Sequence, residues 1–322
     1  MTATVALTGA TGFVGSHIAR NLVASHHRLR ALVRNPRAVF PGIEPITGSL
    51  ADRPSLARLI EGCDVVVHCA GAIKAIDAAH FEHVNRDGAA AVADAAATSP
   101  SVRRFVLISS LAARSPLLSA YAASKRAGET EVARRCRVPL TVLRPPVVYG
   151  PGDRETLPMF RAAGSGIFPI PGPAEARLSF LHVSDLARAV AAALSGAEPP
   201  AGVFEIDDGT EGGYGWPEIG AALARAVGRR PIQVRIGRRL LEAASFASLA
   251  YSRVTGQPRM LRPDKVAEMR HPDWVCRKGD FGRRTGWSAE LNLEAGFRDA
   301  VQWYRAHGWL QSNFAGNFAR NS

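Results

Sequence analysis

Short apolar runs alternate with helical patterns along the first half of the chain. TVALTG (4–9) reads as a strand closed by glycine, and FVGSHIARNLVASHH (13–27) then places apolar residues at helical spacing. RLRALVR (28–34) is a strand, SLARLIEG (55–62) a short helix closed by Gly62, and DVVVHCAG (64–71) a buried strand. AAHFEHVNRDGAAAVADAAATS (78–99) predicts one long helix, RRFVLISS (103–110) a strand, LSAYAASKRAGETEVARRC (118–136) a helix, and PLTVLRPPVVYG (139–150) a further strand. Strands that are apolar throughout and spaced by helices belong to a parallel sheet covered on both faces.

After about residue 150 the pattern becomes irregular. GPGDRETLPMFRAAGSGIFPIPGP (150–173) is rich in Gly and Pro. SFLHVSDLARAVAAALSG (179–196) returns to strand and helix, with Ser184 or Asp185 expected as the N-cap. WPEIGAALARAVG (216–228), RRLLEAASFASLAYSRVTG (238–256) and NLEAGFRDAVQWYRAHGWL (292–310) are later helical pieces.

Composition narrows the partners. The chain has 322 residues, 47% apolar and 21% charged, which is ordinary for a globular protein. Its net charge is +12, from 36 arginines and only four lysines, set against 28 acidic residues. The arginines are scattered, with no basic block interleaved with aromatics, so nucleic acid is not an expected partner. Scattered positive charge still draws a protein to an anionic lipid surface, and peripheral contact with such a membrane fits the sequence. Cys63, Cys69, Cys136 and Cys276 form no CxxC pair and read as buried thiols in a reducing compartment. With no signal-peptide pattern at the N-terminus and no run of 18 apolar residues, a cytoplasmic location is expected, extending to the inner face of the membrane.

The first chemical motif is TGATGFVG (8–15). Its glycines, Gly9, Gly12 and Gly15, follow a strand and open a helix. They let the backbone approach a pyrophosphate while the helix N-terminus presents free N–H groups. Thr11, Phe13 and Val14 belong to the same loop and are expected cofactor contacts. The fold class that follows is α/β, a Rossmann-type doubly wound parallel sheet with a smaller, mostly helical C-terminal lobe. The expected division is a cofactor-binding domain over 1–150, to which later segments such as 177–206 return, a substrate lobe over 151–312, and a flexible tail over 313–322. At the tip of the second strand, where a carboxylate would hold the ribose hydroxyls of NAD(H), stand Arg34 and, close by, Arg37. A guanidinium accommodates a 2′-phosphate, so NADP(H) is favoured over NAD(H).

The second motif is SAYAASKRAGE (119–129), where Tyr121 and Lys125 share a helix face at i, i+4. A phenol near pKa 10 is a poor base at neutral pH, and a neighbouring ammonium is expected to lower that value. Just upstream, Ser109 and Ser110 end a strand, where ligands of open α/β sheets bind. Ser110 is preferred as the group that hydrogen-bonds a reacting oxygen, with Ser109 as the alternative. Asn85, on the preceding helix, is either a structural amide or the holder of a proton-relay water. Neither a metal-ligand cluster, nor a P-loop, nor a GxSxG elbow occurs.

Together TGATGFVG, HCAG, ISS, YAASK, LRPPVVYGPGD and LSFLHVSDLARAV resemble the short-chain dehydrogenase/reductase superfamily, in its extended epimerase/dehydratase-like branch. The resemblance implies that Gly9, Gly12 and Gly15 hold the pyrophosphate and that Ala70 and Gly71 line the cofactor. It further implies that Pro145 and Val147 lie by the nicotinamide carboxamide. Ser110 would orient the substrate oxygen, Tyr121 act as general acid/base, and Lys125 tune it and bind the ribose. Ser49, followed by Leu50, stands where many extended members place an Asp beside the adenine. That departure, Arg34, and the short spacing between Ser110 and Tyr121 point away from nucleotide-sugar epimerases. They point toward an atypical extended group related to the complex I accessory subunit and to hydroxysteroid and flavonoid ketoreductases. HPDWVC, TGWSAE and VQWYRAHGWL supply four of the five tryptophans, which with nearby arginines either pack the C-terminal lobe or form an interfacial or acyl-chain pocket. The expected activity is hydride transfer between NADP(H) and a hydrophobic ketone or secondary alcohol, steroid-like or a keto-sphingolipid precursor. The alternatives are a nucleotide-sugar epimerase or dehydratase retaining NAD, and a non-catalytic cofactor-binding accessory subunit.

Overall fold

The computed structural model describes residues 2–196, 198–277 and 279–311; the expected tail, 313–322, lies outside the described residues. The strands of the first half are β1 (Thr4–Thr8), β2 (Arg28–Val33), β3 (Ile43–Thr47), β4 (Val65–His68), β5 (Arg104–Ile108) and β6 (Leu140–Arg144). Next come β7 (Val147–Tyr149), β8 (Ile167–Ile170), β9 (Arg177–Leu178), β10 (Phe180–His182) and β11 (Gly202–Glu205). The main sheet has seven strands in the order β11-β6-β5-β4-β1-β2-β3, all paired in parallel. Strand order reverses between β1 and β4, and the crevice beyond their carboxyl ends is where such sheets bind ligands.

Between the early strands run α1 (Phe13–Ala24), α2 (Arg53–Ile60), α3 (Ala78–Phe81), α4 (Gly88–Thr98) and α5 (Ala120–Arg135). Alternation along each strand sends neighbouring side chains to opposite faces. From β1, Val5 and Leu7 join Ile18 and Leu22 of α1, with Leu186 and Val190 from a later helix, Val183–Leu194. Ala6, between them, faces Leu56 of α2, Val92 of α4 and Val132 of α5 on the other side. Each fully buried Leu, Ile or Phe contributes about 1.5–3 kcal/mol, enough to fix the register.

Two elements differ from their sequence patterns. The strand expected over 139–150 is broken, because Pro145 and Pro146 offer no N–H to a ladder. Only β6 stays in the main sheet; β7 leaves it and pairs with β10. The single helix expected over 78–99 contains a wide π turn, Glu82–Asp87, between α3 and α4.

The C-terminal half adds α6 (Leu157–Ser165), α7 (Val183–Leu194), α8 (Trp216–Val227), β12 (Ile232–Arg235), α9 (Arg238–Thr255), α10 (Pro263–Met269), β13 (Asp273–Trp274), α11 (Phe281–Thr285) and α12 (Leu293–Ala306). The N-cap of α7 is His182, not Ser184 or Asp185. Asp185 is turned inward instead, where it accepts the backbone N–H groups of Glu290 and Leu291 at 3.1 and 3.2 Å and pairs with Arg188. A second core of Tyr149, Phe160, Phe168, Phe297 and Tyr304 holds α6, α8 and α12 together. The indole N–H of Trp216, Trp274 and Trp287 donates to backbone carbonyls within this half, and Trp303 stacks on His307. The tryptophans therefore pack the fold. No helix among the described residues is long and apolar enough to cross a membrane.

Candidate active site

The glycine loop joins β1 to α1. Gly9 has φ +82°, and a Cβ there would lie 2.7 Å from the Ala70 nitrogen. At Gly15 a Cβ would lie 2.0 Å from the Gly9 carbonyl oxygen. The loop thus passes hard against the β4 end on one side and α1 on the other. Gly12 caps α1 without a side-chain hydrogen bond, so the helix's first N–H groups, from Phe13 to Gly15, open toward the crevice. Thr11 is exposed beside them. A cradle with no Cβ, at a helix N-terminus, fits a dinucleotide pyrophosphate.

The neighbouring positions lie around the same crevice. Arg34 directly follows β2 and is exposed, as is Arg37 in the turn after it. Ser49 and Leu50 follow β3, and the Leu50 side chain packs against Gly88 at the start of α4. Ala70 donates its N–H to Thr8 Oγ1 at 3.3 Å, and Gly71 faces both Asn85 Oδ1 and Lys125 Nζ. Pro145 accepts the N–H of Leu111 at 2.8 Å, beside the serine turn, and Val147 begins β7.

Beyond β5 the chain turns at Ser109 and Ser110, and the tertiary contacts separate these two hydroxyls. Ser109 donates to Glu129 Oε1 at 2.5 Å, and Arg144 holds the same carboxylate through Nε at 2.8 Å and Nη2 at 2.5 Å. Its hydroxyl is committed to a buried ionic network. Ser110 is half-buried, caps the turn at Leu111–Arg114, and is hydrogen-bonded to the phenol of Tyr121.

Ser119 caps α5, which carries Tyr121 and Lys125. Lys125 donates to the Ile108 carbonyl at 2.8 Å, at the end of β5. Burial lowers its pKa to about 8, opposed by Cys69 and Glu129. The Tyr121 phenol moves opposite to the sequence expectation. Burial raises it to about 12, Ser110 pulls it down and the Glu268 carboxylate pushes it up further. An ammonium at i, i+4 was expected to dominate; removal from water and a carboxylate from another part of the chain set the value instead. The tyrosine is therefore a phenol at neutral pH.

Asn85 sits in the π turn with its amide fully directed. Its Oδ1 accepts the Ala72 N–H at 2.8 Å, and its Nδ2 donates to the Ala72 carbonyl at 3.0 Å and Ser124 Oγ at 2.9 Å. It ties the β4 loop to α5, with one Oδ1 lone pair left for a water.

Sequence reasoning missed the roof of this site. Glu268 of α10 accepts the Ser119 hydroxyl at 2.8 Å and pairs with Lys265, whose Nζ lies 5.7 Å from the Tyr121 ring centroid. Asp264 accepts the Ala120 N–H at 3.0 Å. Arg262 grips the Ala75 and Ile76 carbonyls at 2.8 and 2.6 Å, and Arg114 grips those of Val275 and Asp273 at 2.7 and 2.8 Å. The segment LRPDKVAEM (261–269) carries no local sign that it lies over residues 119–121.

A doubly wound parallel sheet, a glycine cradle at its switch point and a serine–tyrosine pair beside a half-buried lysine define an NAD(P)-dependent oxidoreductase. The family comparison agrees, since residues 5–206 match the model of the NAD dependent epimerase/dehydratase family. The chain belongs to that family, within the extended short-chain dehydrogenases/reductases. It is 40% identical to a ceramide reductase of Caulobacter vibrioides over 96% of both chains. It is 30% identical to a 2-alkyl-3-oxoalkanoate reductase of Stenotrophomonas maltophilia, over 48% of this chain and 53% of that one. Among solved structures, WbmG of Bordetella bronchiseptica in complex with NAD and UDP superposes with a TM-score of 0.74 at 21% identity, covering 97% of this chain and 98% of that one. At that identity the likeness concerns the fold.

Proposed function

We propose that the protein uses NADPH to reduce the ketone of a long-chain, ceramide-like lipid to a secondary alcohol. The observation that carries this reading is Tyr121, a protonated phenol hydrogen-bonded to Ser110 beneath the α10 roof. Bound NADPH would supply the hydride to the carbonyl carbon. Tyr121 gives its proton to the carbonyl oxygen, and Ser110 hydrogen-bonds that oxygen as negative charge develops on it. Lys125, held by the Ile108 carbonyl beside Gly71, would hold the nicotinamide ribose. Asn85 fixes the loop that carries Gly71. The product balance is one C=O reduced to CH–OH and one NADPH oxidised. Identity to a ceramide reductase along nearly the whole chain supports the lipid substrate. Arg34 and Arg37 support the 2′-phosphate.

Paired titrations of the purified protein with NADPH and NADH test the cofactor, and NADPH oxidation with a long-chain keto-ceramide tests the reaction. At least about tenfold tighter NADPH binding is expected, narrowed in Arg34→Asp, which replaces attraction by repulsion. Retained NAD after purification, or a preference for NADH, would overturn the assignment of Arg34 and bring the epimerase reading forward.

Glu268 gives this reading a pH signature. Its carboxylate raises the proton affinity of Tyr121, so Glu268→Gln is expected to lower it. Reduction requires the phenol, and its rate falls as pH rises through the phenol's pKa. In Glu268→Gln that falling limb should move to lower pH. A kcat/KM profile that stays in place or moves to higher pH would refute the link.

A further inference from the structure

Helix α9 is amphipathic the wrong way round for a helix facing water. Its inward side carries Leu241, Ser245 and Ser252, and both serine hydroxyls bond back to their own helix, to the carbonyls of Glu242 and Ser248. Its outward side carries Leu240, Ala243, Ala247, Ala250, Tyr251 and Val254, a continuous stripe at helical spacing. Leu240 is 65% exposed and Val254 87%, with Phe246 at 62% on the flank. A soluble surface helix normally presents the reverse pattern, and an apolar stripe of this length marks an interaction face.

Charge decides what the face meets. Arg239 and Arg253 share the helical flank of Phe246, and the Arg259 guanidinium lies 4.1 Å over the Tyr251 ring. The sole carboxylate of α9, Glu242, is paired with Arg238 at 2.7 Å. A second copy of the chain docked by a two-fold axis would bring arginines against arginines. An anionic bilayer surface instead offers phosphates to the arginines and an acyl boundary to the stripe.

We propose that α9 docks the protein to anionic lipid membranes, with Leu240, Phe246, Tyr251 and Val254 entering the acyl boundary and Arg239, Arg253 and Arg259 meeting headgroup phosphates. A short loop joins α9 to α10, so docking would bring the roof over Tyr121 to the membrane surface. The proposal does not depend on the substrate reading, because it can be tested without turnover.

Flotation of the full chain with vesicles of phosphatidylcholine, with and without phosphatidylglycerol, tests it. Binding is expected only with phosphatidylglycerol and should weaken as salt is added. Arg239→Glu with Arg253→Glu should reduce it by more than about tenfold. Phe246→Ser with Val254→Ser should reduce it several-fold, and NADPH binding and thermal melting would verify that each variant is folded. No flotation of the wild type, equal binding to neutral vesicles, or unaltered binding by folded variants would overturn the proposal. So would a wild-type dimer that the same substitutions convert to monomer, since the face would then belong to a second copy.

Discussion

Tyr121→Phe is expected to lower kcat by roughly 100- to 10,000-fold, the range that a positioned acid contributes. The substitution removes one oxygen and leaves the ring in its contact with Phe81, at 5.9 Å between centroids. Neither the glycine cradle nor Lys125 is disturbed, so the dissociation constant for NADPH should stay within a few-fold of wild type. Cofactor titration and steady-state kinetics on the same preparation separate the two effects. Turnover within tenfold of wild type would remove Tyr121 from the mechanism. Joint loss of turnover and cofactor binding would instead mean that the phenol holds the site together. Ser110 is a graded companion to this test, since its hydroxyl only shares the developing charge.

Glu129→Ala is expected to destabilise the protein by about 3–5 kcal/mol, because it leaves the buried Arg144 guanidinium without its partner. Arg144 and Glu129 are both under 10% exposed and make two hydrogen bonds to each other, and Ser109 makes a third to the carboxylate. This network fastens α5, and with it Tyr121 and Lys125, to the ends of β5 and β6. Denaturant unfolding would measure the loss. The double variant Glu129→Leu with Arg144→Met should recover much of it, since apolar replacement of a whole buried pair is often neutral. A single variant as stable as wild type would show that water reaches the guanidinium. Because Glu129 also supports the charged form of Lys125, the single variant should lower that lysine's pKa further.

Much of the architecture was legible because its signals are local. The glycine cradle needs a strand, a turn and a helix within about 20 residues, and TGATGFVG sits in that frame. Tyr121 and Lys125 share a face because four residues make one helical turn. The proline pair at 145–146 also carried a local message, namely that the long apolar run 139–150 could not continue as one strand. The π turn around Asn85 left no such trace, since its residues have ordinary helical composition.

The sequence alone determined the alternation of strand and helix, the family motifs and the side chains available for proton transfer, all consequences of backbone periodicity. Only the tertiary structure decided which serine serves which partner, because the carboxylate that engages Ser109 and the guanidinium that holds that carboxylate lie 20 and 35 residues further along the chain. It alone buried the Tyr121 phenol, which reversed the expected shift, and brought Glu268 over the start of α5, 149 residues from Ser119, to add to it. It also placed the tryptophan indoles in hydrogen bonds or packing inside the lobe and left the apolar stripe of α9 exposed. The α9 stripe is amphipathic in sequence, but which side faces out depends on the neighbours against which the helix packs. Desolvation and long-range charge are properties of the assembled fold, and they set the chemistry of the groups that the sequence supplied.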